Sequence, residues 1–243
     1  MNKLYIFTLS LIASLFSFAA DWENQYGPAS QYTVTLKKME LCTDSSCSTT
    51  HTVAEATKSF DIASANIGAI LGSYVNTISL PPKGVTYTHL RNTVDRTFTI
   101  KGYGLSADGS SSYCYTNGSA GSYTKMTPGT LATTEADAIA NATATSVVSV
   151  NHTPSSGGYV TAYRNGSDVN ITFTYSSSAM VDGDNMLYVV ALDSPYTYTG
   201  KVPVIDVSFG TQTAVTSMEA GGGDNSNDCN IFPGDPNMRV VIK

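Results

Sequence analysis

The sequence predicts an all-β fold, an antiparallel β-sandwich with at most one or two short helices. Only 13% of the residues are charged, whereas the chain holds 15 tyrosines and 20 glycines. β-branched and aromatic residues favour strands, while glycine and serine favour the turns between them. Many short stretches also alternate apolar and polar residues between turn-forming residues, which is typical of strands that place one face on a core.

The N-terminal segment predicts a cleaved export signal over residues 1–19. Lys3 precedes an apolar stretch at residues 4–18, and the small residues Ser17 and Ala19 occupy the −3 and −1 positions of a peptidase site. The apolar stretch is shorter than the roughly 20 residues that cross a bilayer. We therefore expect a secreted or cell-surface protein, with the periplasm as the alternative, and no membrane insertion after cleavage.

The charge balance argues against two classes of partner. The formal net charge is −6 at pH 7. Nucleic acids and anionic membrane surfaces attract proteins through a basic face. The sequence therefore predicts no nucleic-acid partner. The partners that we expect are other proteins, further copies of the same chain or surface glycans.

The four cysteines are predicted to form disulfides, because an even number in an exported chain favours bridges over free thiols. Four cysteines allow three connectivities. We favour a local bridge, Cys42 with Cys47, and a long-range one, Cys114 with Cys229. Zinc is the weaker interpretation of the first pair, since His51 is nearby but no second pair of ligands completes a four-ligand set.

The first strand is predicted where Tyr32, Val34 and Leu36 alternate with polar residues. Met39 and Leu41 fall on the opposite parity. Either the buried face changes along this strand, or a bulge at the lysine pair after Leu36 restores it.

The longest predicted strand covers residues 86–103. From Leu90 to Ile100 the even positions are mostly apolar and the odd positions are polar. This period of two predicts a strand with one face on a core. Arg96 is the exception, because it is a charged residue on the apolar parity.

The clearest helix signal follows residue 132. Thr133 or Thr134 is suited to cap its N-terminus, and Glu135 and Asp137 lie in its first turn, where acidic residues are favoured. A β-branched strand is predicted directly afterwards, at residues 146–150.

The last third of the chain returns to alternating patterns. Asn165-Gly166 lies between two alternating stretches and predicts a tight hairpin. Further short strands follow as far as the terminal "NMRVVIK". About ten to twelve strands at this spacing predict one sandwich domain over residues 20–243.

A spaced pattern of residues runs through the first part of the chain: Lys38, Met39 and Glu40, then Phe60, Asp61 and Ile62, and finally Leu80, Pro81, Gly84, Tyr87, Thr88, Leu90 and Arg91. By this pattern, residues 30–105 resemble an uncharacterised family of bacterial exported domains. The resemblance implies a transthyretin-like β-sandwich, within the sandwich class (transthyretin-like or jelly-roll-like) that the sequence predicts, and carries no assigned activity. Two residues between Pro81 and Gly84 lengthen a turn of the pattern, and the local cysteine pair is an addition to it.

One group of polar residues within the longest strand is a possible site: His89, Arg91, Asp95 and Arg96. The first three share the odd, outward face, with same-face neighbours about 6.6 to 7 Å apart. On an exposed strand face, such residues are expected to be ordinary polar side chains in contact with solvent. Arg96 points the other way, so it should either snorkel at the sheet edge or pair with a buried carboxylate.

No catalytic residue is predicted. The three histidines, His51, His89 and His152, are scattered, and no serine motif places a base beside a nucleophile. No cofactor is expected apart from a weak indication of structural calcium in oxygen-rich turns. The acidic or amide residues of those turns are Asp182, Asp184, Asn185, Asp224, Asp228 and Asp235.

Two loop tyrosines, Tyr196 and Tyr198, are candidates for ligand contact, because exposed rings can stack on sugars or anchor an interface. The sequence as a whole favours a non-catalytic structural or adhesion-type subunit that acts through protein–protein contacts. The alternative is a glycan- or small-ligand-binding module that uses these tyrosines.

Overall fold

A computed structural model describes residues 25–64, 79–106, 112–121, 127–148, 160–163, 170–175, 185–219, 229–234, 236 and 238–243. The predicted signal segment and the Asn165-Gly166 turn lie outside these residues. Fifteen strands and one helix occur in the described part of the chain. They are β1 (Gln25–Gly27), β2 (Ala29–Cys42), β3 (Thr50–Asp61), β4 (Thr86–Asp95), β5 (Thr97–Leu105), β6 (Tyr113–Thr116), β7 (Thr127–Ala132), α1 (Glu135–Asn141), β8 (Thr145–Val148), β9 (Val160–Tyr163), β10 (Asn170–Tyr175), β11 (Asn185–Thr197), β12 (Ile205–Ser208), β13 (Val215–Glu219), β14 (Cys229–Pro233) and β15 (Arg239–Ile242).

The predicted all-β, antiparallel, sandwich-like fold is confirmed. Every pairing between the named strands is antiparallel. The described strands exceed the predicted ten to twelve, in part because two long stretches are each divided by one residue, at Pro28 and at Arg96. Pro28 has no amide hydrogen to give to a ladder.

Strand β2 organises the sheet. It pairs with β3 along one edge and, along the other, with β5 in its first half and β4 in its second half. Its register against β3 and against β4 shifts between Leu36 and Lys38. The predicted alternative of a bulge at the lysine pair is therefore confirmed.

The prediction of one strand over residues 86–103 is wrong, because the stretch breaks at Arg96 into β4 and β5. At the break, the side chain of Asp95 accepts a hydrogen bond from the backbone N–H of Thr97 at 3.0 Å. A side chain thus satisfies a backbone donor at the break. The predicted parity still holds, since every even position from Leu90 to Gly104 is buried.

The strands form two layers around two apolar clusters. Hydrogen-bonded order runs β1-β13-β14-β7-β6-β5-β2, and only Pro28 separates β2 from β1, so these strands close into a ring. The first cluster fills this ring and includes Tyr32, Phe98, Ile100, Val215 and Ile231. The continuing sheet, β2-β4-β11-β10-β9, carries the second cluster on the same face as the buried even residues.

The short β12–β15 sheet covers the second cluster. Met238 and Val240 pack there with Leu90 and Val190 from the main sheet. Phe209 packs against both clusters and joins them. The β12–β15 sheet thus covers the even face of β4 at Leu90, whereas Val94 on the same face belongs to the first cluster. The odd residues from His89 to Asp95 are only partly buried.

The helix, the strand after it and the disulfides agree with the sequence. Thr134 caps α1 by accepting a hydrogen bond from the N–H of Asp137 at 3.1 Å, and β8 follows at Thr145–Val148. The bridges Cys42–Cys47 and Cys114–Cys229 are both formed. Bridged cysteines indicate an oxidising compartment, extracellular or periplasmic. None of the described helices is long and apolar enough to cross a membrane.

Candidate functional site

The outward face of β2, β4 and β11 carries a row of charged and amide side chains, which we call the polar row: Lys37, Lys38, Glu40, Arg91, Asp95 and Asn185. The bulge after Leu36 places an extra residue in β2. As a result, two consecutive lysines, Lys37 and Lys38, both contact acidic groups on this face. A regular strand would send one of them to the opposite face.

Glu40 is the buried centre of one half of the polar row. Its side chain is only 3% exposed, yet it pairs with Lys38 Nζ and Arg91 Nε, each at 2.8 Å. Burial works to raise the pKa of Glu40, but the hydrogen bonds and positive charges of Arg91 and Lys38 outweigh it and lower that pKa below its ordinary value. A buried carboxylate with two cationic partners is a structural ion pair that depends on all three groups.

Lys37, Asp95 and Asn185 form the other half. Lys37 Nζ lies 2.9 Å from Asp95 Oδ2 and 2.7 Å from Asn185 Oδ1. Asp95 lies directly opposite Asn185 in the β4–β11 register. Burial acts to raise the pKa of Asp95, but the Thr97 N–H and the Lys37 ammonium lower it overall. An amine, a carboxylate and a primary amide therefore meet at one point, on three adjacent strands.

His89 lies beside the local disulfide and apart from the polar row. It stands opposite Cys42 in the register, and its Nδ1 is 2.8 Å from the hydroxyl of Thr88. Burial lowers the pKa of His89, although the charge of Asp44 opposes this. Asp44 itself accepts hydrogen bonds from Ser46 and Ser48 within the disulfide turn, which hold its pKa far below the usual value.

The four residues singled out in the longest strand therefore do not form one site. Arg91 and Asp95 belong to separate halves of the polar row, and His89 packs by the disulfide turn. Arg96 is fully buried on the core face. The expectation that Arg96 snorkels at the sheet edge is wrong, because its side chain is fully buried and its same-face neighbours, Val94 and Phe98, belong to the first apolar cluster.

The two candidate tyrosines lie close to the second apolar cluster. Tyr198 is 6% exposed, and Tyr196 is partly buried against the cluster. Burial, with the neighbouring tyrosines Tyr198 and Tyr87, raises the pKa of Tyr196. Most of the ring surface of Tyr198 thus contacts protein and not solvent.

The predicted calcium turns lie outside the described residues except for Asn185, which belongs to the polar row. Within the described ranges, no group of three or more His, Cys, Asp or Glu side chains is arranged to hold a metal ion. Cys42 and Cys47 are bridged to each other, so neither offers a thiolate to zinc.

Sequence reasoning missed the meeting of Lys37, Asp95 and Asn185. By sequence, Asn185 belongs to an acidic turn, and 148 residues separate it from Lys37. The only signal in the sequence was that the apolar residues change from even to odd positions at the lysine pair, which indicated a bulge. The strand order that brings β2, β4 and β11 side by side could not be read from local patterns.

Fold and site together define a disulfide-bonded, antiparallel β-sandwich protein of an oxidising compartment, with a polar row on one outer face. No protein-family model, characterised protein or solved structure matches the chain. The resemblance of residues 30–105 to a family of exported domains therefore stays a prediction.

Proposed function

We propose that this protein is a secreted or cell-surface subunit of the structural or adhesion type, which acts through contacts with other protein chains. A subunit of this type does not need to catalyse a reaction on a substrate. The observation that carries the proposal is the outer edge of β12, the strand Ile205–Ser208 near the C-terminal end of the chain.

The backbone groups of this edge point away from the protein. Val204 and Lys243 exchange both of their backbone hydrogen bonds, each at 3.0 Å. In an antiparallel pair, bonded and non-bonded positions alternate, so the N–H and C=O groups of Ile205 and Val207 face away from β15. In the described part of the chain, none of these outward groups has a hydrogen-bond partner.

The surroundings of the edge also suit a protein partner. The side chains of Ile205 and Val207 pack inward on the second apolar cluster, which holds the strand in its extended shape. Just before it, Val202 and Val204 are 64% and 51% exposed. An open edge beside exposed apolar side chains is a template for adding a strand from another chain.

The alternative, ligand binding through Tyr196 and Tyr198, has less support. Tyr198 is almost fully buried, and Tyr196 packs against the same cluster as the β12 edge. Sugar platforms use rings with an open face. Strand addition requires only the backbone groups that β12 already presents.

The proposal is tested by measuring association of the purified, disulfide-bonded protein over a wide concentration range. Light scattering after size exclusion should show a mass that rises with concentration, and electron microscopy should show discrete or polymeric assemblies. Val207→Pro removes one outward N–H without removing a bond to β15, so it should weaken association. Val207→Ala retains that N–H and should associate as the wild type does.

Two results would contradict the proposal. One is a wild type that stays monomeric at every concentration and forms no assemblies in micrographs. The other is equal loss of association in Val207→Ala and Val207→Pro, since the effect would then come from side-chain packing and not from the backbone edge.

A further inference from the structure

One contact brings together the amine of Lys37, the carboxylate of Asp95 and the primary amide of Asn185. An ordinary ion pair needs only the amine and the carboxylate. Asp95 lies on β4, the central strand, while Lys37 and Asn185 lie on the strands to either side, β2 and β11. The lysine nitrogen contacts both partners, at 2.9 Å and 2.7 Å. The carbonyl carbon of Asn185 lies one C=O bond, about 1.2 Å, beyond the oxygen that Lys37 contacts.

We propose that Lys37 and Asn185 join in an intramolecular isopeptide bond, with Asp95 as the catalytic acid and base. This inference does not rest on the proposed function. It concerns one self-modification of each chain, which consumes no external substrate.

The atoms and charges of the reaction balance without a cofactor. The Lys37 ammonium passes a proton to the Asp95 carboxylate along their contact, and the neutral amine attacks Cγ of Asn185. The new Nζ–Cγ bond forms as the Cγ–Nδ2 bond breaks, and Asp95 transfers its proton to the departing nitrogen. Ammonia leaves and takes up the remaining proton as ammonium, so a primary amide becomes a secondary amide with no oxidation or reduction.

The fold supplies the positioning that this reaction requires. The Thr97 N–H binds Asp95 Oδ1 at 3.0 Å, which leaves Oδ2 for the lysine. Lys37 and Asp95 are each only about a quarter exposed, at 26% and 28%, so solvent access to the contact is limited. Groups held together on neighbouring strands react as if at very high concentration.

The resting state is the ion pair, because the pKa of Asp95 is lowered by Thr97 and Lys37 despite its burial. A proton therefore has to pass from the Lys37 ammonium to the Asp95 carboxylate before the amine can attack. A single event per chain is sufficient, because the ammonia that leaves diffuses away and the amide bond is stable.

The test is the intact mass of the wild-type chain, reduced and denatured after purification. The bond lowers the mass by about 17 Da, the loss of one ammonia. Tryptic digestion should leave the chain uncut after Lys37, and tandem spectra should show a branched peptide that joins Lys37 to Asn185. These wild-type measurements decide the proposal even where a variant fails to fold.

The following variants distinguish isopeptide-bond formation from other reactions that release ammonia. Lys37→Arg retains the positive charge but has no primary amine, and Asp95→Asn removes the acid, so both should keep the full mass. Lys38→Arg is the matched control, since its neighbour Glu40 offers no amide, and it should lose about 17 Da as the wild type does. A wild type at full mass after prolonged incubation overturns the proposal, as does a mass loss that persists in Lys37→Arg.

Discussion

Removal of the long-range disulfide, Cys114–Cys229, should destabilise the protein far more than removal of the local one. The variant Cys114→Ala/Cys229→Ala releases a constraint that joins β6 to β14 across the first apolar cluster. Both sulfur-bearing side chains are buried, at 0% and 4% exposed. The bridge therefore limits the unfolded chain and also contributes two buried sulfur atoms to the first apolar cluster.

The magnitude follows from the length of chain that each bridge closes. The sequence separations are 115 residues for Cys114–Cys229 and 5 residues for Cys42–Cys47. The loop-entropy relation gives about 5 kcal/mol for the longer closure and about 2 kcal/mol for the shorter. Whole domains are stable by only about 5 to 15 kcal/mol, so loss of the long bridge should remove much of the folding free energy.

Urea unfolding followed by circular dichroism measures both effects. The wild type, Cys114→Ala/Cys229→Ala and Cys42→Ala/Cys47→Ala are compared at one pH and temperature. The long-bridge variant should show a loss larger by about 3 kcal/mol than the local-bridge variant. Equal losses, or a larger loss for the local bridge, would refute the argument from loop length.

Three further effects can be measured in the same way. Glu40→Gln should cost about 2 kcal/mol at neutral pH, because two cations lose a buried carboxylate. The folded pKa of Glu40 lies below its ordinary 4.5, so the stability that its carboxylate contributes is complete above that pH and is lost as the pH falls through the folded value. The free energies of unfolding of the wild type and the variant should therefore converge in acid. Gly129→Ala should cost about 1 to 3 kcal/mol, because a Cβ there would lie 2.6 Å and 2.8 Å from the two sulfurs of the long bridge; an unchanged urea midpoint would show that the ring relaxes freely. Thr134→Ala should cost about 1 kcal/mol by removing the cap that accepts from Asp137, whereas Thr133→Ala should have little effect.

Local patterns predicted the features that depend on near neighbours. The alternation from Leu90 to Ile100 identified the buried face, because successive side chains on a strand point to opposite sides. The cap at Thr134 was readable for the same reason, since a helix start is fixed by residues within one turn. The break at Arg96 was missed because it coincides with a local contact that alternation does not reveal, in which the Asp95 side chain accepts a hydrogen bond from the backbone N–H of Thr97.

The sequence by itself determined the all-β class, the buried parity of the strands and the presence of the helix. Each of these follows from residue chemistry and spacings of a few positions, whereas the sequence left three cysteine connectivities and two possible caps, Thr133 and Thr134, open. Only the tertiary structure decided which strands are neighbours. It therefore decided that Lys37, Asp95 and Asn185 meet and that Arg96 is enclosed, because side-chain alternation specifies the face of a strand but not the strand that pairs with it.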